Sequence, residues 1–311
     1  MEGAALSAPV AHEPGERPRL IKAVPIRHWG RWVSAVVLLF LAVALAWSLA
    51  HNTNVGWATI GQYLFKPLTL HGVLVTIEMT IIAMAIGIAG GTMIAVMRLS
   101  DNPILRTVSW IYIWLFRGVP LLVQIIFWGF LGALYPNLFL GIPFVGLVFG
   151  HANTSALIGA FTAAILALGL NEVAYSAELV RAGIISVEAG QTEAAQSLGM
   201  SGGLTMRRVV LPQAMRVIIP PMGNETITML KMTSLVSVIS GHDLLTTVQQ
   251  VYAQNFRQIP LLIVASIWYL ALTTVLTIGQ HYLEKHFGRG FGQADAGGAE
   301  RKALKRVTRN G

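Results

Sequence analysis

A chain of 311 residues is long enough for two ordinary soluble domains, yet 54% of it is apolar and only 12% is charged, where soluble domains run near ~45–50% and ~25%. That balance excludes a soluble enzyme or a DNA-binding domain, although a formal charge of +8 would by itself suit nucleic acid. Cysteine is absent, which removes disulfides, thiolate zinc sites and thiol nucleophiles, and no pair of histidines has metal-ligand spacing.

A bilayer core of ~30 Å needs about 20 apolar residues per helix, and six such runs are predicted in chain order. Residues 1–27 carry four prolines and little apolar periodicity, so they read as a disordered basic tail. The first span, 32–50, ends in Ser48-Leu49-Ala50, which resembles a signal cleavage site. The long preceding segment and the later spans favour an uncleaved helix, so 28–69 reads as an extra first helix with an external connection. In the second span, 73–97, Ala83, Gly87 and Gly91 recur every four residues and let another helix approach closely, within the chain or across a dimer seam. The third span, 118–134, follows a stretch, 104–115, that can lie along the cytoplasmic surface and leave Arg117 near the interface. The fourth is 156–175, with Glu178 and Arg181 just beyond it, three apart and suited to a local helix pair. The fifth, 217–239, holds Pro220-Pro221 and Gly223 and is predicted to break or kink there. The sixth is 261–280, and 288–311, rich in Gly, Ala and charge, reads as a second disordered basic tail.

Lys and Arg favour the cytoplasmic side of a membrane protein. Arg17, Arg19, Lys22, Arg27 and Arg31, then Arg98 and Arg106, then Arg181, Arg207, Arg208 and Arg216, then seven residues from Lys285 to Arg309, put 18 on one side against Lys66 and Arg257 on the other. Both termini are therefore expected in the cytoplasm. The basic excess is a topology signal with some attraction to anionic lipid, so no nucleic-acid partner is expected.

Between the fourth and fifth spans a cytoplasmic segment of about thirty-five residues is long for a connection. It predicts two short helices, 187–198 and 204–210, separated by Gly199-Met200-Ser201-Gly202-Gly203, with Pro212 ending the second helix and starting the fifth span. The first helix offers a narrow face of Glu193, Ala194, Ala195 and Leu198, suited to a groove on another protein; an amphipathic connector lying on the membrane is the plainer alternative. The spacing Glu193-Ala194-Ala195, Gly199, then Val209, Leu211 and Pro212 resembles the EAA loop of ATP-binding-cassette importer permeases. Phe116-Arg117-Gly118-Val119-Pro120-Leu121-Leu122-Val123-Gln124 is similar to the FRGTPLLVQ signature of the polar amino acid permeases of the histidine/glutamine type. Tyr175-Ser176-Ala177-Glu178 through Arg181-Ala182-Gly183-Ile184, Leu211-Pro212-Gln213-Ala214, and Pro220 through Ile239 resemble further segments of that family. The similarity covers about residues 70–285. Val119 replaces the usual Thr, and Met232 stands where many members have Asp or Asn, which weakens any substrate inference from that position.

The resemblance implies an all-α polytopic membrane protein of about six transmembrane helices. One extra N-terminal helix would precede a five-helix type I importer core at 70–287, with the EAA loop at about 186–212, in the bacterial cytoplasmic membrane. It implies the permease subunit of an importer of polar amino acids. Its partners would be a cytoplasmic ATPase, an extracytoplasmic amino-acid-binding protein and a second permease, as a homodimer or heterodimer. The ATPase-coupling residues would be Glu193, Ala194, Ala195, Gly199, Leu211 and Pro212, with the small ones kept small for close approach. The chain has no GxxxxGK[ST] and so no phosphate-cradling loop; ATP and Mg would be used by the partner, and no cofactor by this chain.

Ionisable residues inside spans are costly and mark pathways or pairs. Glu78, Glu172, Glu225 and Lys231 are the clearest. Lys231 suits a substrate carboxylate and Glu78 or Glu225 an amino group, with Asn224, Thr226, Thr228, Thr233 and Ser234 as further pathway candidates; alternatively Lys231 pairs with a glutamate to tie two helices. An ion-coupled secondary transporter would use the same carboxylates but needs no docking loop. No GxSxG, HExxH or His/Ser pair supports an intramembrane enzyme.

Overall fold

The computed structural model describes residues 29–142 and 147–287. The two tails lie outside the described residues, and with them the expectation of disorder there. Helix α1 (Trp29–His51) has no buried residue and belongs to a unit of its own, distinct from the one that begins at Thr53. The second unit begins at Thr53 with α2 (Trp57–Leu64) and α3 (Pro67–Leu99). After a turn capped by the Asn102 side chain, which accepts from the Ile104 N–H at 2.9 Å, come α4 (Pro103–Gly118), α5 (Leu121–Gly129) and α6 (Leu131–Leu134). Strands β1 (Asn137–Ile142) and β2 (Leu147–Asn153) form an antiparallel hairpin with Asn137 opposite Asn153. Then follow α7 (Thr154–Leu157), α8 (Ala160–Ile185), α9 (Ala189–Ser197), α10 (Gly202–Thr205) and α11 (Leu211–Met232), and finally α12 (Leu244–Asn255) and α13 (Gln258–Phe287).

Among the described residues four helices, α1, α3, α8 and α13, are long and apolar enough to cross a membrane, and α4 with α5 makes a fifth if that pair, bent by 96°, is one span. The expected six are thus four or five by length and composition. The difference is α11, which carries Arg216, Asn224, Glu225 and Lys231 along with three prolines. The β-hairpin departs from an all-α chain. Its segments are short and carry Val, Ile and Phe among Gly and Pro, which periodicity alone does not separate from a buried helix.

The core of the second unit lies between α3, α8 and α11, where Met79, Ala83, Ala164, Ala167, Leu168 and Ala214 are fully buried. Small residues set the spacing. A Cβ on Gly87 would overlap Glu172, and one on Gly91 would overlap Ser176, so the Ala83-Gly87-Gly91 ridge packs inside the chain against α8. Two proline effects differ from expectation. Helix α11 runs unbroken through Pro220 and Pro221 and gives way only at a 3-10 segment, Thr233–Ile239. Pro212 does not end a helix: α10 passes through a π-turn, Met206–Val210, directly into α11. Proline has no N–H for the carbonyl four residues back, and the Leu211 N–H bonds to Met206 O instead, the five-residue step of a π-turn.

Candidate functional site

A cavity of about 280 Å³ lies between α4, α5, α8 and α11, lined among others by Arg117, Asn171, Glu172, Tyr175, Glu225 and Thr228. That volume suits a single small solute. The Arg117 guanidinium lies over the Tyr175 ring, 5.0 Å from its centroid, within cation–π range. Glu172 is 2% exposed and accepts from the Ser176 hydroxyl at 2.7 Å. Glu225, across the cavity on α11, lies within electrostatic reach of both Glu172 and Arg117. One guanidinium therefore faces two carboxyl groups, a formal charge of minus one when all three are ionised, behind the apolar wall of Leu121, Met229 and Met232.

Of the residues singled out from sequence, Arg117, Glu172, Glu225 and Thr228 line this cavity. Glu78, Asn224 and Lys231 do not; they are exposed on the single chain. Among the described residues the ion pair is Glu178–Arg181, at 2.7 Å, as their spacing suggested, and Lys231 takes no part in one. Thr226 donates to Met222 O, buried Thr233 to Leu230 O and Ser234 to Lys231 O, so their hydroxyls satisfy their own helices. Arg117, placed at the interface from sequence, stands in the cavity, because the chain turns sharply right after it. Asn171 and Tyr175 had no distinguishing signal beyond a polar pair, Asn171-Glu172, inside an apolar span.

A second constellation sits at the opposite end of α11. Glu193 is an exposed mid-helix residue of α9 with Ala194 beside it, whereas Ala195 is 5% exposed and packs within the segment. Gly199 has φ +80, and its N–H bonds to Gln196 O while that of Met200 bonds to Ala195 O. This is a left-handed helix terminus. A Cβ there would meet nothing within 4 Å, so what Gly199 supplies to this chain is backbone conformation. Leu198, 84% exposed, follows α9 as a bare apolar side chain, and Leu211 and Pro212 are also exposed, where the π-turn joins α11. Gln213 ties the two parts, donating to Val209 O at 3.0 Å and to Gln191 Oε1 at 3.5 Å.

Residues 87–289 match the family of binding-protein-dependent transport system inner membrane components. The chain belongs to this family. It is 46% identical over 275 residues to the arginine transport system permease protein ArgU of Corynebacterium glutamicum, covering 88% of this chain and 85% of that one. It is 32% identical over 229 residues to the glutamate/aspartate import permease protein GltK of Escherichia coli, covering 74% and 96%. A crystal structure of an amino acid ABC transporter with histidines superposes with a TM-score of 0.60 at 34% identity, over 71% of this chain and 95% of that chain. The MetNI methionine ABC transporter shares the fold, with a TM-score of 0.53 at 17% identity. The chain is thus an inner-membrane permease subunit of an ATP-binding-cassette importer, in a family branch whose members carry amino acids. Its fold is that of the type I importers, with α1 preceding the matched core.

Proposed function

We propose that this permease imports a cationic amino acid of the arginine type. The observation that carries this is the cavity charge: Arg117 suits the α-carboxylate, and Glu172 and Glu225 suit the two cationic groups that a dibasic amino acid presents. Such a substrate, with one net positive charge, neutralises the site, whereas a neutral amino acid leaves one carboxylate unpaired at membrane depth, which is costly. The resemblance to ArgU points to the same class. Two permeases would form the pathway, with an extracytoplasmic amino-acid-binding protein delivering substrate and a cytoplasmic ATPase receiving the exposed Glu193, Ala194, Leu198 face of α9. ATP and Mg belong to that ATPase. Both termini would then lie in the cytoplasm, as the distribution of Lys and Arg requires, with lipid covering the apolar outer faces.

The test is uptake into proteoliposomes carrying the permease, its ATPase and the receptor. Arginine uptake is expected to need ATP, to be competed by lysine and ornithine and not by glutamine, and to show a KM raised about tenfold or more in Glu225→Gln, the loss expected for one charge-assisted contact. Uptake driven by an ion gradient without the ATPase, or preference for a neutral amino acid, overturns the proposal.

A further inference from the structure

The bend beside the cavity carries a backbone deficit that the sequence itself imposes. In an α-helix the carbonyl of residue 116 accepts from the N–H of residue 120, but residue 120 is proline and has none. Inside a membrane such a carbonyl must find another donor. Two side-chain amides serve it. Asn171 Nδ2 on α8 donates to Phe116 O at 2.9 Å, and Gln124 Nε2 on α5 donates to Phe116 O and to Val119 O, each at 2.9 Å. Both amides are more than nine-tenths buried, at 7% and 6% exposed. Gln124 makes these bonds even though its Oε1 is left without a partner among the described residues, so the donor half of this amide is the half in use.

Arg117 follows Phe116 directly and, with Gly118, lies between those two bracketed carbonyls. Its guanidinium lies over Tyr175, one helical turn beyond Asn171 on the same face of α8. Helix α8 thus holds the backbone of the turn with Asn171 and the guanidinium with Tyr175, while Gln124 closes the turn from α5. The geometry points to Gln124 and Asn171 as positioning residues that aim the Arg117 guanidinium at the α-carboxylate of the bound amino acid. This rests on the reading of the cavity given under Proposed function. Gln124 is not among the residues lining the cavity, so its effect on a ligand runs through the Arg117 turn.

The test uses the permease–ATPase complex in lipid nanodiscs without receptor and compares equilibrium binding of L-arginine and agmatine, the same molecule without its carboxylate. Gln124→Met and Gln124→Leu remove the donor without adding charge, the second serving if the first fails to insert, and Asn171→Leu removes the other donor at similar volume. Each variant is expected to bind arginine about tenfold or more weakly, the loss of one aligned charge-assisted contact; agmatine affinity stays within about twofold of wild type in the Gln124 variants, while Asn171→Leu, at a residue that lines the cavity, weakens arginine more than agmatine. Arg117→Ala should show the same separation of the two ligands. If Arg117→Ala separates them but the Gln124 and Asn171 variants bind arginine as wild type, or weaken both ligands alike, the positioning role is overturned and the cavity reading stands. If Arg117→Ala itself fails to separate them, the cavity reading falls and this inference with it.

Discussion

A methyl group on Gly91 would overlap Ser176 and the backbone nitrogen of Ala177, and backbone cannot step aside as a flexible side chain can. Gly91→Leu is therefore expected to destabilise the α3–α8 packing by about 1–3 kcal/mol and to lower the melting temperature of the purified protein. A different property governs Gly199. Its φ of +80 with open space around the missing side chain means that Gly199→Asn, which tolerates the left-handed region, should keep its association with the ATPase, whereas Gly199→Val, which pays about 1–2 kcal/mol there, should lose it. A pull-down of the ATPase by each inserted variant decides this. If both variants fail alike, close approach to the partner and not backbone conformation is what the glycine supplies. The sequence displayed both glycines plainly, but only φ and the neighbouring atoms tell a spacing residue from a turn residue.

Three proline sites in this chain behave in three ways, and at each the missing N–H is accommodated by a different backbone geometry. At Pro120 two side-chain amides take over and the chain bends by 96°. At Pro220 and Pro221 helix α11 continues unbroken. At Pro212 the preceding turn widens to a π-turn and the Leu211 N–H reaches Met206 O. Pro212→Ala returns an N–H to Arg208 O and removes the cause of that widening. The segment carrying α9 then rotates by up to one residue's turn relative to α11. The expected outcome is an unchanged or higher melting temperature together with a fall in substrate-stimulated ATP hydrolysis; unchanged stimulation would show that the π-turn has no part in coupling. From sequence, a break or kink was expected at the proline pair and a helix end at Pro212; the helix is unbroken at both, because a proline's effect depends on its surroundings as well as on its missing N–H.

At the scale of the whole molecule, α1 and the described residues from Thr53 to Phe287 belong to separate units, and the family match begins at residue 87. Deleting residues 1–52 should leave a permease that inserts, stays monodisperse and melts within about 2–4 °C of wild type, the shift that ~1 kcal/mol brings in a chain of this size. Aggregation of the truncated chain would show that α1 covers apolar surface the bundle needs. The apolar outer faces, with Leu74, Ile81, Leu270 and Val275 each more than 60% exposed, are what a chain in lipid presents, since lipid tails offer no driving force to bury them.

The sequence by itself determined the membrane class, most of the spans, the family, the short helices between the fourth and fifth spans and the Glu178–Arg181 contact. Each of these follows from hydropathy, charge placement or spacing within one stretch of chain. The tertiary structure decided which intramembrane charges meet. Glu225 reaches the cavity and Lys231, six residues on, does not, because their helix turns them to different sides. Arg117 stands in the cavity beside the bend at Pro120, where the nearby Gln124 amide and the sequence-distant Asn171 amide donate to the Phe116 carbonyl. Convergence of residues from α4, α5, α8 and α11 on one cavity depends on packing between segments far apart in sequence, and no local pattern records it.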